Sequence, residues 1–130
     1  AGPGLYDECK ALAPIETGQA VATGAHGLPN SHVIHTLGPV YCSESCPARM
    51  LALCYENSLK VAEGLGLACV AFPAVSTGIF GYPLKEAAEV SLSAVSDVLP
   101  GLKSVRKAIF VLRGEDALDV FCAALRAIED

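Results

Sequence analysis

Positive charge is scarce in this chain: nine Lys and Arg stand against fourteen Asp and Glu, a net charge of −5 at neutral pH. That balance lacks the clustered cations of a broad nucleic-acid footprint. A phosphate site here has to be built from main-chain N–H groups. No apolar run reaches the roughly 18 residues that a membrane span needs, and no secretory leader is visible. The six cysteines, at 9, 42, 46, 54, 69 and 122, miss the paired spacing of a structural zinc site. Cys42 and Cys46 would need a histidine from 26, 32 or 35, and a second close pair is missing. Cys54 and Cys122 fall on apolar helix faces and Cys69 in a buried strand. All six read as reduced thiols of a cytoplasmic protein, not as a disulfide framework. No linker, repeat or low-complexity stretch interrupts the chain, so residues 1–130 read as one domain.

The remaining pattern alternates helices and strands. Leu5, Cys9 and Leu12 share one face of a helix over 3–12, which Pro14 closes. Residues 19–23 and 32–37 read as short strands, an antiparallel pair joined by the turn-rich stretch 24–30. Pro47 suits the first turn of a helix whose apolar face holds Leu51, Cys54, Tyr55, Leu59 and Ala62, closed by Gly64 to Gly66. Residues 68–75 are almost continuously apolar, the pattern of a strand buried on both faces. Pro73 marks where that strand leaves its ladder. A helix from Pro83 to Leu99, a strand over 107–112 and a helix carrying Leu118, Phe121, Cys122, Leu125 and Ile128 follow. This order predicts a right-handed crossover and a largely parallel sheet covered on both faces. Four strands leave one edge exposed, which points to further sheet material upstream of Ala1 and to pairing with a second copy as one way to cover that edge.

Residues 69–83, Cys-Val-Ala-Phe-Pro-Ala-Val-Ser-Thr-Gly-Ile-Phe-Gly-Tyr-Pro, carry the most information. A greasy strand runs into the tight loop Ser76–Gly81, and Pro83 then opens a helix. Gly78 and Gly81 let the backbone bend sharply and approach a ligand closely. The helix that follows turns its free N–H groups and positive dipole end toward the same spot. The combination is a cradle for an anion, and for a phosphate or diphosphate above all.

Five segments together resemble the macrodomain family, and within it the O-acetyl-ADP-ribose deacetylase and mono-ADP-ribosyl hydrolase branch. They are Ala1-Gly-Pro-Gly-Leu-Tyr-Asp-Glu-Cys-Lys10, Thr17-Gly-Gln-Ala-Val21, Thr23-Gly-Ala-His-Gly-Leu-Pro29, Val33-Ile-His-Thr-Leu-Gly-Pro39 and the run from Ala71 to Pro83. The resemblance spans the chain in order. It implies an α/β fold, a three-layer α/β/α sandwich with a mixed, mostly parallel sheet, that holds ADP-ribose in a cleft at the strand ends. Ser76–Gly81 matches the family's diphosphate loop, with the N–H groups of Thr77, Gly78, Ile79, Phe80 and Gly81 as donors. Phe80 matches the aromatic beside the distal ribose, and Ala74 and Val75 would line the floor. Two family features are not among these 130 residues. One is a Gly-Asp-Ile/Leu-Thr segment whose Asp meets the adenine. The other is an Asn-Ala-Ala-Asn stretch with a Gly-rich loop implicated in catalysis. Both fall upstream of the match to Ala1, so the family fold reads as N-terminally truncated here. The family's aromatic after the 107–112 strand is matched by Arg113. Two readings of Arg113 stand: a guanidinium stacked on the base, and a solvated surface side chain.

Ser76 reads as a loop-bending donor and not as a nucleophile served by His35 and Asp97, because no Gly-x-Ser-x-Gly elbow is present. His35 reads as a packed, hydrogen-bonded histidine and Tyr55 as core. Lys85 is either a phosphate contact or a solvated lysine, and Glu115 and Asp116 cap a helix. Three functions follow. The first is a module that binds ADP-ribose or an ADP-ribosylated protein. The second is a hydrolase of ADP-ribose esters. The third is a remnant that self-associates through its sheet edge. None calls for a cofactor, a metal, nucleic acid or a membrane, and no catalytic residue is assigned.

Overall fold

The computed structural model describes residues 3–129; Ala1 and Gly2 of the first family-like segment lie outside the described residues. The order is α1 (Pro3–Leu12), β1 (Ala20–Gly24), β2 (His32–Thr36), α2 (Pro47–Gly64), β3 (Cys69–Phe72), α3 (Leu84–Val98), a 3-10 turn (Leu99–Gly101), β4 (Lys107–Phe110) and α4 (Glu115–Glu129). Each element expected from periodicity is present; β2, β3 and β4 are shorter than expected and β1 is shifted by one residue. The apolar run 68–75 is strand only to Phe72, because Pro73 has no N–H to give the ladder.

β1 and β2 pair antiparallel, with Val21 opposite His35 and Thr23 opposite Val33. β3 and β4 pair in parallel, with Phe72 beside Phe110. The single four-stranded sheet expected from the sequence is not formed. The two pairs are separate two-stranded sheets, because no described segment lies between β2 and β3 to carry the ladder across. At β1–β2 the three layers are complete. Val21 and His35 face Cys9 and Leu12 of α1, while Ile34, on the opposite face, packs into the core beside Leu51 and Tyr55 of α2.

At β3–β4 the expectation of two covered faces fails. Val70 and Phe72 are buried, but Cys69 and Ala71 are exposed, and so are Lys107 and Ile109 beside them. One face packs on α2 and α3, and the other has no cover among the described residues. Cys69 is therefore an exposed thiol, not a buried one. On α4 only Phe121 is buried; Leu118 and Leu125 of its expected apolar face are exposed.

The core runs through Leu51, Tyr55 and Leu59 of α2, all fully buried. A chain of rings continues it from Tyr55 to Phe72 to Phe110 to Phe121, with centroids 5.0, 5.7 and 5.5 Å apart. Those spacings are the favoured range for tilted aromatic pairs. Each such side chain contributes about 2–3 kcal/mol on burial. Among the described residues no helix is long and apolar enough to cross a membrane.

Candidate functional site

The chain leaves β3 at Phe72, whose carbonyl still accepts the Val111 N–H at 2.8 Å. One side chain then fixes the exit. The fully buried Tyr55 donates its hydroxyl to the Pro73 carbonyl at 3.0 Å and accepts the Val75 N–H at 3.1 Å. Burial pushes the phenol above its usual pKa, so it stays a donor. Read from sequence as core alone, Tyr55 is a positioning residue for the loop. The available signal was a lone phenol on an otherwise aliphatic helix face, since a buried hydroxyl needs partners.

Ser76 follows with φ +67°, a left-handed conformation that costs a non-glycine residue about 1–2 kcal/mol. Its hydroxyl is buried and has no hydrogen-bond partner. It rests against Gly38, where an added Cβ would collide with Ser76 Oγ and stand 2.6 Å from Val75 Cγ1. Gly38 is thus required by close approach.

The loop then closes on itself. The Thr77 N–H and hydroxyl both reach the Ala74 carbonyl, at 3.3 and 2.8 Å. Gly81 N–H donates to Gly78 at 3.0 Å, and Tyr82 N–H donates to Ser76 at 2.9 Å. Tyr41 N–H holds the Phe80 carbonyl at 2.9 Å. These bonds occupy the N–H groups of Thr77 and Gly81. The N–H groups of Ser76, Gly78, Ile79 and Phe80 have no acceptor among the described residues. Gly78 and Ile79 are exposed, with nothing within 4 Å of a Cβ built on Gly78.

A cavity of about 1170 Å³ lies between β2 and β3 and reaches this loop. Residues 30–38 and 67–76 line it, with Ser58 and Phe80. Of the expected site residues, Ala74, Val75, Ser76 and Phe80 line the cavity; Thr77, Gly78, Ile79 and Gly81 complete the loop outside the lining. Arg113 is exposed beyond the end of β4 and does not line it. Because β3 and β4 are parallel, Arg113 and the loop leave the sheet at the same end.

Lys85 is exposed in the first turn of α3. Its neighbour Glu86 accepts the Tyr41 hydroxyl at 3.1 Å and raises that phenol's pKa. No catalytic triad forms at Ser76. Its hydroxyl is unpartnered, His35 Nε2 lies 2.9 Å from Thr23 Oγ1, and Asp97 lines a separate cavity. The packed, hydrogen-bonded reading of His35 agrees with that contact. No group of three or more metal-binding side chains occurs among the described residues.

Known proteins resemble this chain in sequence and in fold. The family model described as Macro domain matches residues 1–91. The macro domain-containing protein CT2219 of Chlorobaculum tepidum is 41% identical over 128 residues, which cover 98% of this chain and 74% of that protein. The O-acetyl-ADP-ribose deacetylase of Klebsiella pneumoniae is 38% identical over 126 residues, 93% of this chain and 72% of its own length. Among solved structures, the Oceanobacillus iheyensis macrodomain with ADP superposes with a TM-score of 0.94 at 28% identity, over 99% of this chain and 72% of that one. By sequence and by fold, the chain belongs to the macrodomain family.

Proposed function

We propose that this protein binds ADP-ribose, free or attached to protein, with the diphosphate seated on the Ser76–Gly81 loop. The observation that carries the reading is the set of unused N–H groups at Ser76, Gly78, Ile79 and Phe80 beside a cavity. Convergent main-chain donors are a sufficient phosphate site, which suits a chain with net charge −5. In this reading Thr77 and Gly81 shape the loop through their own hydrogen bonds. Ala74 and Val75 form the floor, the Phe80 ring lies beside the distal ribose, and Arg113 stacks on the adenine. The solved relative that holds ADP supports the nucleotide end of the assignment. Calorimetric titration with ADP-ribose tests it. Saturable heat with a thermal shift is expected, and neither at millimolar ligand would reject the reading.

The name of the Klebsiella pneumoniae relative favours a second reading, hydrolysis of O-acetyl-ADP-ribose, to which we add mono-ADP-ribosylated protein as a further ester substrate. There the ligand's own phosphate and a positioned water carry much of the chemistry, and the protein contributes orientation. Release of acetate from O-acetyl-ADP-ribose distinguishes the two. Binding without turnover leaves the module reading alone.

A further inference from the structure

We propose that Cys9 and His35 form a thiol–imidazole pair at a small cavity between α1 and the β1–β2 sheet, and that the pair takes up a small uncharged aliphatic disulfide as a covalent adduct on Cys9. The place is separate from the Ser76–Gly81 loop. Of the residues lining this small cavity, only His35 also lines the larger one.

The thiol has a base beside it. Cys9 Sγ lies 3.6 Å from His35 Nε2 and 3.9 Å from Nδ1, so both ring nitrogens are within reach of its proton. The ring is itself held. Thr23 Oγ1 stands 2.9 Å from Nε2 and donates its single proton to the Gly24 carbonyl at 3.0 Å. A hydroxyl that has given its proton away meets the ring as an acceptor. Nε2 therefore carries the hydrogen, and Nδ1 is the free base. Thr23 is 2% exposed, so water does not compete for that contact. A nucleophile, a base and a third group that orients the base make up the arrangement that activates a thiol.

The cavity sets the class of reagent. It measures about 100 Å³ and is lined by Cys9, Leu12, Ala13, Ile15, Val21 and His35. A cavity of about 150 Å³ holds a benzene ring, so this one holds a short aliphatic group and not a peptide. Apart from the pair, its walls are apolar. Next to Cys9, the Glu8 carboxylate accepts the Gly24 N–H at 3.1 Å and adds negative charge. Both features select against an anionic reagent. In the reaction Cys9 passes its proton to Nδ1 as Sγ attacks one sulfur of the disulfide. The new S–S bond forms as the reagent's own S–S bond breaks. The leaving thiolate takes the electron pair and then the proton from the imidazolium. Cys9 is thereby oxidised to a mixed disulfide, the other half of the reagent is reduced to a free thiol, and His35 ends neutral.

Hydroxyethyl disulfide and glutathione disulfide provide the test, with peptide mass mapping to give the rate at each cysteine. With the first reagent, Cys9 is expected to react roughly tenfold or more faster than Cys42, Cys46 and Cys69, although those three are exposed and Cys9 is half-buried. With glutathione disulfide, which is large and anionic, the advantage is expected to vanish. His35→Gln and Thr23→Val are expected to bring Cys9 down to the rate of the exposed cysteines or below it, while Thr23→Ser, which keeps the hydroxyl, keeps the rate. Reaction of Cys9 no faster than the exposed cysteines, an undiminished preference with glutathione disulfide, or an unchanged rate in His35→Gln or Thr23→Val overturns the proposal. The comparison of the two reagents uses the unaltered protein, so it remains decisive where a variant fails to fold. None of these readouts uses ADP-ribose, so they stand or fall apart from the proposed ligand.

Discussion

Helix α2 pins two loops, and the contrast between them separates scaffold from site. Near its C-terminal end Glu63 accepts the N–H groups of Lys103, Ser104 and Val105, at 3.1, 2.9 and 3.0 Å. One carboxylate uses three consecutive donors and seats Val105 in the core at 1% exposure. In the middle of the same helix Tyr55 ties down Pro73 and Val75. Beyond that anchor the loop keeps four N–H groups unused and sets Ser76 at a positive φ. A loop whose donors are all taken has nothing to offer a ligand. A loop held at its root and unsatisfied at its tip offers donors that need no rearrangement to bind.

The contrast can be broken most severely at Tyr55. Tyr55→Phe keeps the ring and orphans the Pro73 carbonyl and the Val75 N–H. A loss on the order of 2–3 kcal/mol is expected from two part-buried hydrogen bonds broken together, read by urea denaturation, together with weaker ADP-ribose binding by calorimetry. Gly38→Ala drives a methyl into Ser76 and Val75, and overpacking of this kind costs about 2 kcal/mol. The thermal shift given by ADP-ribose is expected to shrink with it. Ser76→Gly has the opposite sign. It relieves the left-handed strain and removes an unpartnered buried hydroxyl, so stability should rise by about 1 kcal/mol in the same denaturation assay.

Glu63→Gln sharpens the comparison from the other loop and has the smallest effect at the site. ADP-ribose affinity is expected to stay unchanged. Stability responds through pH instead. The backbone donors, Val105 foremost, hold the Glu63 carboxyl below its usual pKa. Its contribution is therefore complete above the ordinary carboxylate value and is lost as pH falls through the lowered one. In thermal unfolding scans from neutral to acid pH, the unaltered protein should lose more stability than Glu63→Gln. Parallel curves would mean that the carboxylate does not hold this loop.

Much of the Ser76–Gly81 loop was legible in the residues themselves. Gly81 leaves the backbone free for its positive φ and Pro83 fixes its own φ, whatever the rest of the chain does. Tyr55 was legible only as bulk, because the partners of its hydroxyl lie 18 and 20 residues away. Gly38 lies just past the expected 32–37 strand; its tight fit against Ser76 exists only after two distant segments pack. The bare face of β3 misled for a related reason. Apolar residues at Cys69 and Ala71 record what a strand is able to bury, not what is present to cover it.

Sequence alone determined the order and type of the elements and the turn at residues 76–81, since periodicity and turn stereochemistry act over a few residues. Tertiary structure alone decided which N–H groups stay unused, which glycine is sterically required, and that the strands stand as two pairs with a gap between. Hydrogen-bond satisfaction and close packing depend on contacts between segments far apart in the chain, and no local pattern encodes them.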